Sequence, residues 1–329
     1  MLAEEQATAD RKEDVLGALG KSAAKLREKL GESLASVTKY NQPLEQATTA
    51  SLEALQQYSD GLRVQREQGD VPALPYMKRA TELDPGFAVA YAALGINYSN
   101  LNQPNLAKEN FQKAYELRDH VTQQERFAIE AFHFSYATGE MDEAIQTYTQ
   151  WARTYSSDYV PRGNLGASYS MLGQYEKSIT EINASLRLEP DSAIAYGNLA
   201  DDYLALNRIK DAKAALDEVS KRNLDTPYLH LSRYHLAFLE NDPSAMQEQS
   251  SWAMGKTGAE DAQLSDESDT EAYYGRLRKA RELTLQAVEL AERNGSADTA
   301  AVWQVNQALR EAEFGNTPSL ARLLPRRRL

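Results

Sequence analysis

A pattern of side chains returns every 34 residues along this chain. It is clearest in two adjacent copies. Residues 159–192 carry Leu165, Gly166, Tyr169 and Pro190; residues 193–226 carry Tyr196, Leu199, Ala200, Tyr203 and Ala212. The same positions are filled upstream in 88–121 by Tyr91, Leu94, Gly95, Tyr98, Ala107, Phe111 and Ala114. A unit this short cannot bury its own apolar face, so each copy needs neighbours. The question therefore moves from which reaction the chain performs to which partner it holds.

A 34-residue period with aromatic, Leu, Gly, Tyr, Ala, Phe and Ala at these offsets resembles the tetratricopeptide repeat. The resemblance implies an all-α fold, a right-handed α-solenoid of about seven helix hairpins preceded by an N-terminal helix. The first copy, 54–87, has Ala73, Met77, Ala80 and Pro85 in place. A three-residue insert, Thr122 to Gln124, precedes the third copy, 125–158. That copy is degenerate: Phe132 stands for the small residue, Ser135 for Tyr and Trp151 for Ala. The sixth, 227–260, keeps the Asn241-Asp242-Pro243 turn, Met246 and Ala253; the seventh, 261–294, keeps Gly275, Ala280 and Ala287. Thr299 to Phe314 reads as the first half of an eighth. The expected division is an N-terminal helix and connector over 1–50, a repeat array over 51–260, and degenerate repeats with a truncated cap over 261–329.

Upstream of the array, Asp14 can cap a helix running to about Glu32. Its apolar face is Val15, Leu19, Ala23, Leu26 and Leu30, at helical spacing. Pro43 breaks the connector, and Thr49 or Ser51 caps the next helix. Within each hairpin, the small residue at repeat position 8 (Gly95, Gly166, Ala200) lets the second helix come close. The small residue at position 20 (Ala107, Ser178, Ala212) does the same from the other side. Large residues at Tyr91, Tyr98, Phe111, Tyr169, Tyr196 and Tyr203 fill the space between hairpins, and truncating such a side chain costs about 3–5 kcal/mol. Core packing explains these tyrosines; none marks a cofactor, and no cofactor is expected.

Acidic residues outnumber basic ones, 48 to 36, for a net charge of −12. Phosphate binding needs a basic footprint, so nucleic acid is not the expected partner. There is no cysteine, hence no disulfide frame and no thiolate metal site. No apolar run approaches the roughly 20 residues that span a bilayer. The opening MLAEEQATADRKED is polar and acidic, so no signal peptide is expected there. An export signal or anchor, if the protein has one, is expected outside this chain, and the compartment stays open.

In the tetratricopeptide family, ligands lie on the concave face lined by first helices, at repeat positions 2, 5, 9, 12 and 13. By resemblance these are Val89, Ala92, Ile96, Ser99 and Asn100 in the second copy, and Arg126, Ile129, His133, Tyr136 and Ala137 in the third. The fourth contributes Val160, Gly163, Ala167, Ser170 and Met171, and the fifth Ile194, Gly197, Asp201, Leu204 and Ala205. Only Arg126 is basic among them. Asn164 and Asn198 stand at position 6, but the lysines of the chaperone-tail carboxylate clamp are missing. The surface reads small and apolar, suited to an extended apolar segment or an amphipathic helix. The chain's own N-terminal helix or connector is the alternative occupant.

Other motifs have plainer readings. Gly20-Lys21-Ser22 resembles the end of a P-loop, but Val15 stands where its first Gly is required and no strand precedes it. The histidines, His120, His133, His230 and His235, lack metal-ligand spacing, and His133 alone is expected to face the ligand surface. The acidic run SDESDTE (265–271) is expected to be exposed and mobile. Arg326, Arg327 and Arg328 read as a bland chain end. No carboxylate pair is placed for acid–base work.

VLGALGKSAAKLREKLGESLASV followed by PLEQATTASLEALQQYSDG is similar to the stretch before the repeats in bacterial, eukaryote-like Ser/Thr protein kinases and related winged-helix regulators. LALNRIKDAKAAL and TEAYYGRLRKARELT resemble the same group, and the likeness covers most of residues 5–316. None of the kinase motifs is present: no Gly-rich loop, His-Arg-Asp or Asp-Phe-Gly. No catalytic residue carries over, and the chain is not expected to be an enzyme. Two functions are therefore expected in turn. One is a non-catalytic protein-binding scaffold. The other is a sensory or dimerising segment of a kinase signalling protein, which would place a homodimer among its states.

Overall fold

The computed structural model describes residues 4–11, 14–29, 49–101 and 103–316. These form α-helices, with no strand among the described residues. By contact the chain divides into two units, Met1–Tyr155 and Ser156–Leu329. The boundary falls at the end of the third expected repeat, three residues before the fourth begins.

The first unit opens with α1 (Val15–Lys29) and continues in three hairpins. These are α2 (Leu52–Gln68) on α3 (Asp70–Leu83), α4 (Ala88–Asn100) on α5 (Pro104–Glu116), and α6 (Gln123–Phe132) on α7 (Met141–Thr154). The second unit has four: α8 (Val160–Met171) on α9 (Tyr175–Leu188), α10 (Ala193–Ala205) on α11 (Ile209–Lys221), α12 (Pro227–Leu239) on α13 (Pro243–Ala253), and α14 (Glu260–Tyr273) on α15 (Leu277–Arg293). A final helix, α16 (Ala297–Glu313), packs on α15. The seven hairpins and the N-terminal helix are the all-α solenoid class that the period predicts.

The helices start and stop where the chemistry dictates. Ser51, Thr122, Ser192, Thr226 and Asp242 each cap a helix by accepting a backbone N–H. Of the two expected caps for α2, Ser51 takes the role, and Thr49 instead accepts from the Ser51 N–H and donates to Asp84. The second repeat ends in a single 3₁₀ turn at Arg118–His120, and the insert that follows supplies the start of α6: Thr122 is its N-cap, in a capping box with Glu125. Gly139, Gly173, Asn207, Asn241 and Gly275 all have positive φ, each 34 residues after the last. The repeat is thus a conformational period too: from the third hairpin to the seventh, each turns through one left-handed residue, which Gly and Asn tolerate best.

Inside each hairpin, position 8 of the first helix crosses position 24 of the second. A Cβ on Gly61 would fall 2.9 Å from Met77, one on Gly95 2.6 Å from the Phe111 ring, and one on Gly166 2.6 Å from Ile182. Met77, Phe111, Ile182 and, in the fifth hairpin, Leu216 are at most 3% exposed.

Three expectations need correction. In α1, Leu19 is 43% exposed and Ala23 is exposed, whereas Leu16 is buried, so the inward face lies one residue along. Leu30, Pro43 and Arg326–Arg328 fall outside the described residues. In the third repeat a π-helical turn at His133–Thr138 follows α6. A π turn holds one extra residue. Counted back from Ala144 across it, the fully buried Ala131 takes the small position and Phe127 the aromatic one. Phe132 therefore does not replace the small residue. Finally, SDESDTE is helical, not mobile: Ser265 and Ser268 are buried, and Ser268 donates to the Ala280 carbonyl at 2.7 Å and lies 2.8 Å from Thr284 Oγ1. Ser and Thr can occupy a helix crossing when they satisfy each other there.

Candidate functional site

The expected ligand positions fall in both units, and each half is described by itself. In the first unit, Ala92 and Ile129 are buried together with Ala88 and Ala114, joining α4 and α6. Val89 is partly buried against Phe87 and Ala54, and Ile96 is also partly buried. His133 is 6% exposed and stacks on Tyr115 with ring centroids 3.9 Å apart. Arg118 lies over the same Tyr115 ring. Burial pushes the His133 pKa down; Glu140 opposes this and Arg118 adds to it. His133 therefore serves as a packed neutral ring. Arg126 is exposed and paired with Glu130 at 2.9 Å. Asn100 is exposed and donates to both Asp70 oxygens at 3.2 Å. Tyr136 is 40% exposed and stacks on Phe111. Of these eight residues, then, Tyr136, Arg126 and Asn100 lie open.

In the second unit the openness is greater. Met171 on α8 is 67% exposed and Ile194 on α10 is 65% exposed. Val160, Gly163 and Ala167 are partly buried on α8. A Cβ on Gly163 would fall 3.3 Å from Ser185 Oγ. Gly197 is buried, and a Cβ there would fall 2.5 Å from the Tyr228 ring. Glycine at 197 is thus what admits Tyr228 against α10. Leu204 is partly buried against the cluster of Tyr196, Leu199 and Leu216.

Asp201 opens a polar patch that sequence reasoning missed. The Tyr228 hydroxyl donates to Asp201 Oδ2. Burial raises the Asp201 pKa, while hydrogen bonds from Tyr228 and Ser232 hold it down. Burial and the Asp201 charge together push the Tyr228 phenol up. Two turns along the helix that carries Tyr228, His235 Nε2 lies 2.9 Å from Asp266 Oδ2 of α14. Burial lowers the His235 pKa, but the bond to Asp266 and the charges of Asp266, Asp201 and Asp269 outweigh it, and the net shift is upward. Tyr228, His235 and Asp269 stand at positions 2, 9 and 9 of the sixth and seventh repeats. Counting the same positions two repeats further would have found them.

Gly20, Lys21 and Ser22 sit inside α1, not in a loop. His230 stacks on Trp252 and lies 2.7 Å from Asp225. Among the described residues, no group of three or more His, Cys, Asp or Glu is placed to hold a metal ion. No described helix is long and apolar enough to cross a membrane.

Residues 88–120, which are α4, α5 and the 3₁₀ turn after them, match the tetratricopeptide-repeat family. The chain carries tetratricopeptide repeats. Superkiller protein 3 of Schizosaccharomyces pombe is 27% identical over 167 residues, which cover 48% of this chain and 12% of that protein. The chain thus spans only a small part of that relative's length. Two solved structures share the fold at low identity. Human IFIT1, as a dimer with m7Gppp-AAAA, aligns with a TM-score of 0.59 at 12% identity, covering 95% of this chain and 81% of that one. The APC/C hetero-tetramer Cut9-Hcn1 aligns with a TM-score of 0.54 at 15% identity, covering 94% of this chain and 59% of that one. Tetratricopeptide arrays of this kind generally mediate protein–protein interaction.

Proposed function

We propose that this chain is a non-catalytic scaffold whose first-helix surface holds an apolar peptide or an amphipathic helix. The observation that carries this reading is the exposure of Met171 and Ile194, 67% and 65%, at ligand positions of neighbouring hairpins. Large apolar side chains left in water at the ligand positions of a repeat array suit anchors for a partner's apolar residues. The Asp201–Tyr228 pair, in the same unit, adds hydrogen-bonding groups that would fix the partner's register.

The test is a pulldown from source-cell lysate with the full chain and with Met171→Glu/Ile194→Glu, read by mass spectrometry. Both residues are exposed, so helix content by circular dichroism is expected to stay unchanged. Proteins captured by the wild type and lost by the double variant support the reading. Identical capture by both forms contradicts it and favours a surface covered by the chain's own N-terminal segment.

The second reading, the sensory arm of a Ser/Thr kinase, is supported by the likeness of α1 and the following segment to that group. It predicts a kinase domain encoded directly upstream. Sequencing a gene that starts at Met1 with no kinase beside it would remove this reading.

A further inference from the structure

The sixth hairpin lacks the side chain that closes the earlier crossings. Position 24 carries Met77, Phe111, Tyr148, Ile182 and Leu216 in the first five hairpins, each at most 3% exposed. In α13 that position is Ser250. Opposite it, where the first five hairpins have Gly or Ala, α12 carries Tyr234, which is 3% exposed. The Tyr234 hydroxyl donates to Thr270 Oγ1 of α14 at 2.9 Å, so the ring is committed to the next hairpin.

The exchange leaves a cavity of about 600 Å³ bounded by α12, α13, α14 and α15. That volume is in the range of small-ligand sites. Met246, Ala253, Leu264 and Leu283 supply its apolar wall. Gln263 and Glu267, one turn apart on α14, also line it. Gln263 is 2% exposed; its Nε2 donates to Ser250 Oγ at 3.3 Å, while its Oε1 is buried without a hydrogen-bond partner. Two other lining carboxylates are engaged: Glu260 accepts from the Gly255 N–H, and Glu271 holds Arg276. Glu267 has no hydrogen bond or ion pair among the described residues. Lys279 is exposed at the edge.

We propose that this cavity binds an alkylammonium group, with its aliphatic stem on Met246, Leu264 and Leu283 and its head donating to Gln263 Oε1 and Glu267. A buried acceptor without a donor is costly, and an ammonium supplies three donors and no acceptor. A carboxylate ligand would set acceptor against acceptor. The same chemistry comes from a free amine or from a lysine side chain of a bound peptide.

The experiment titrates the full chain by calorimetry and NMR with n-hexylammonium, n-hexanol and hexanoate, and with a capped peptide holding Lys between Leu residues. Hexylammonium is expected to bind saturably and to shift α13 and α14 resonances. Ser250→Leu, which removes the hydroxyl that Gln263 Nε2 bonds and puts a bulkier apolar side chain beside Gln263, is expected to weaken binding. Glu267→Gln, a partly exposed change that leaves the fold intact, is expected to weaken it about 10-fold, as loss of a charged hydrogen bond does. Tighter binding of the peptide than the amine assigns the source to a partner's lysine; the reverse assigns it to a free amine. Absence of binding by both, equal binding of hexanol or hexanoate, or unchanged affinity in both variants overturns the proposal.

Discussion

The first five hairpins and the last two solve the same crossing in opposite ways. In the first five, a Gly or Ala on the first helix receives a large apolar side chain from the second. The contact is so close that a Cβ on Gly95 or Gly166 would sit 2.6 Å from its neighbour. In the sixth, large and small change places, as Tyr234 and Ser250. In the seventh, both are small and polar, and Ser268 and Thr284 bond to each other at 2.8 Å. The Thr284 hydroxyl also meets Gln307 and Arg310, and Gln307 in turn meets Glu311, which Arg281 holds at 2.6 Å. Oily packing thus gives way to a buried polar network along the second unit. Oily crossings tolerate little change of volume, while polar ones depend on complete pairing.

The largest expected effect follows from removing a plug. Phe111→Ala should cost about 3–5 kcal/mol in chemical denaturation, whereas Ser250→Ala, which opens no plug and only takes the acceptor from the buried Gln263 amide, should cost about 1 kcal/mol. Equal losses would erase the distinction between the two regions. Next, Gly166→Ala should destabilise by about 1–3 kcal/mol through overpacking against Ile182 and the Ser178 carbonyl. A neutral or stabilising result would mean the crossing can open freely. A smaller effect is expected at a turn: Asn207, at φ 55, should lose about 1 kcal/mol on change to Ala and little on change to Gly.

Acidity separates the units with the finest effects. His133, in the first, favours its neutral form through burial. Its contribution is intact above the ordinary histidine pKa of about 6.5 and is lost as pH falls through that range. His235, in the second, favours its charged form through Asp266. Its contribution is complete below that ordinary value and fades as pH rises through the raised one. Histidine NMR titration should place His133 below and His235 above the ordinary value; a reversed order would break the assignment.

Much of this fold was legible in the residues. The 34-residue spacing of Gly, Ala and Tyr located the hairpins, and the Asn and Gly turns fell at the same interval. What stayed hidden was register inside an element. The extra residue in the π turn lies within a continuous helix and leaves no Gly or Pro to mark it, so Phe132 read as a replacement when Ala131 held the place. SDESDTE read as a solvated face because its hydroxyls find partners only once α15 is beside it. The ligand surface was legible as positions but not as exposure. Ala92 and Ile129 turn into the packing between α4 and α6, while Met171 and Ile194 stay out. Periodicity gives the face of a helix, and only neighbouring hairpins decide how much of that face they cover.

The exchanged crossing is tested most directly by a double-mutant cycle of Tyr234→Gly and Ser250→Leu in chemical denaturation. Tyr234→Gly alone should destabilise strongly. Adding Ser250→Leu restores the arrangement of the earlier hairpins and should recover part of the loss, with a coupling of about 0.5–3 kcal/mol. Strictly additive effects would contradict the account that these two positions form one crossing.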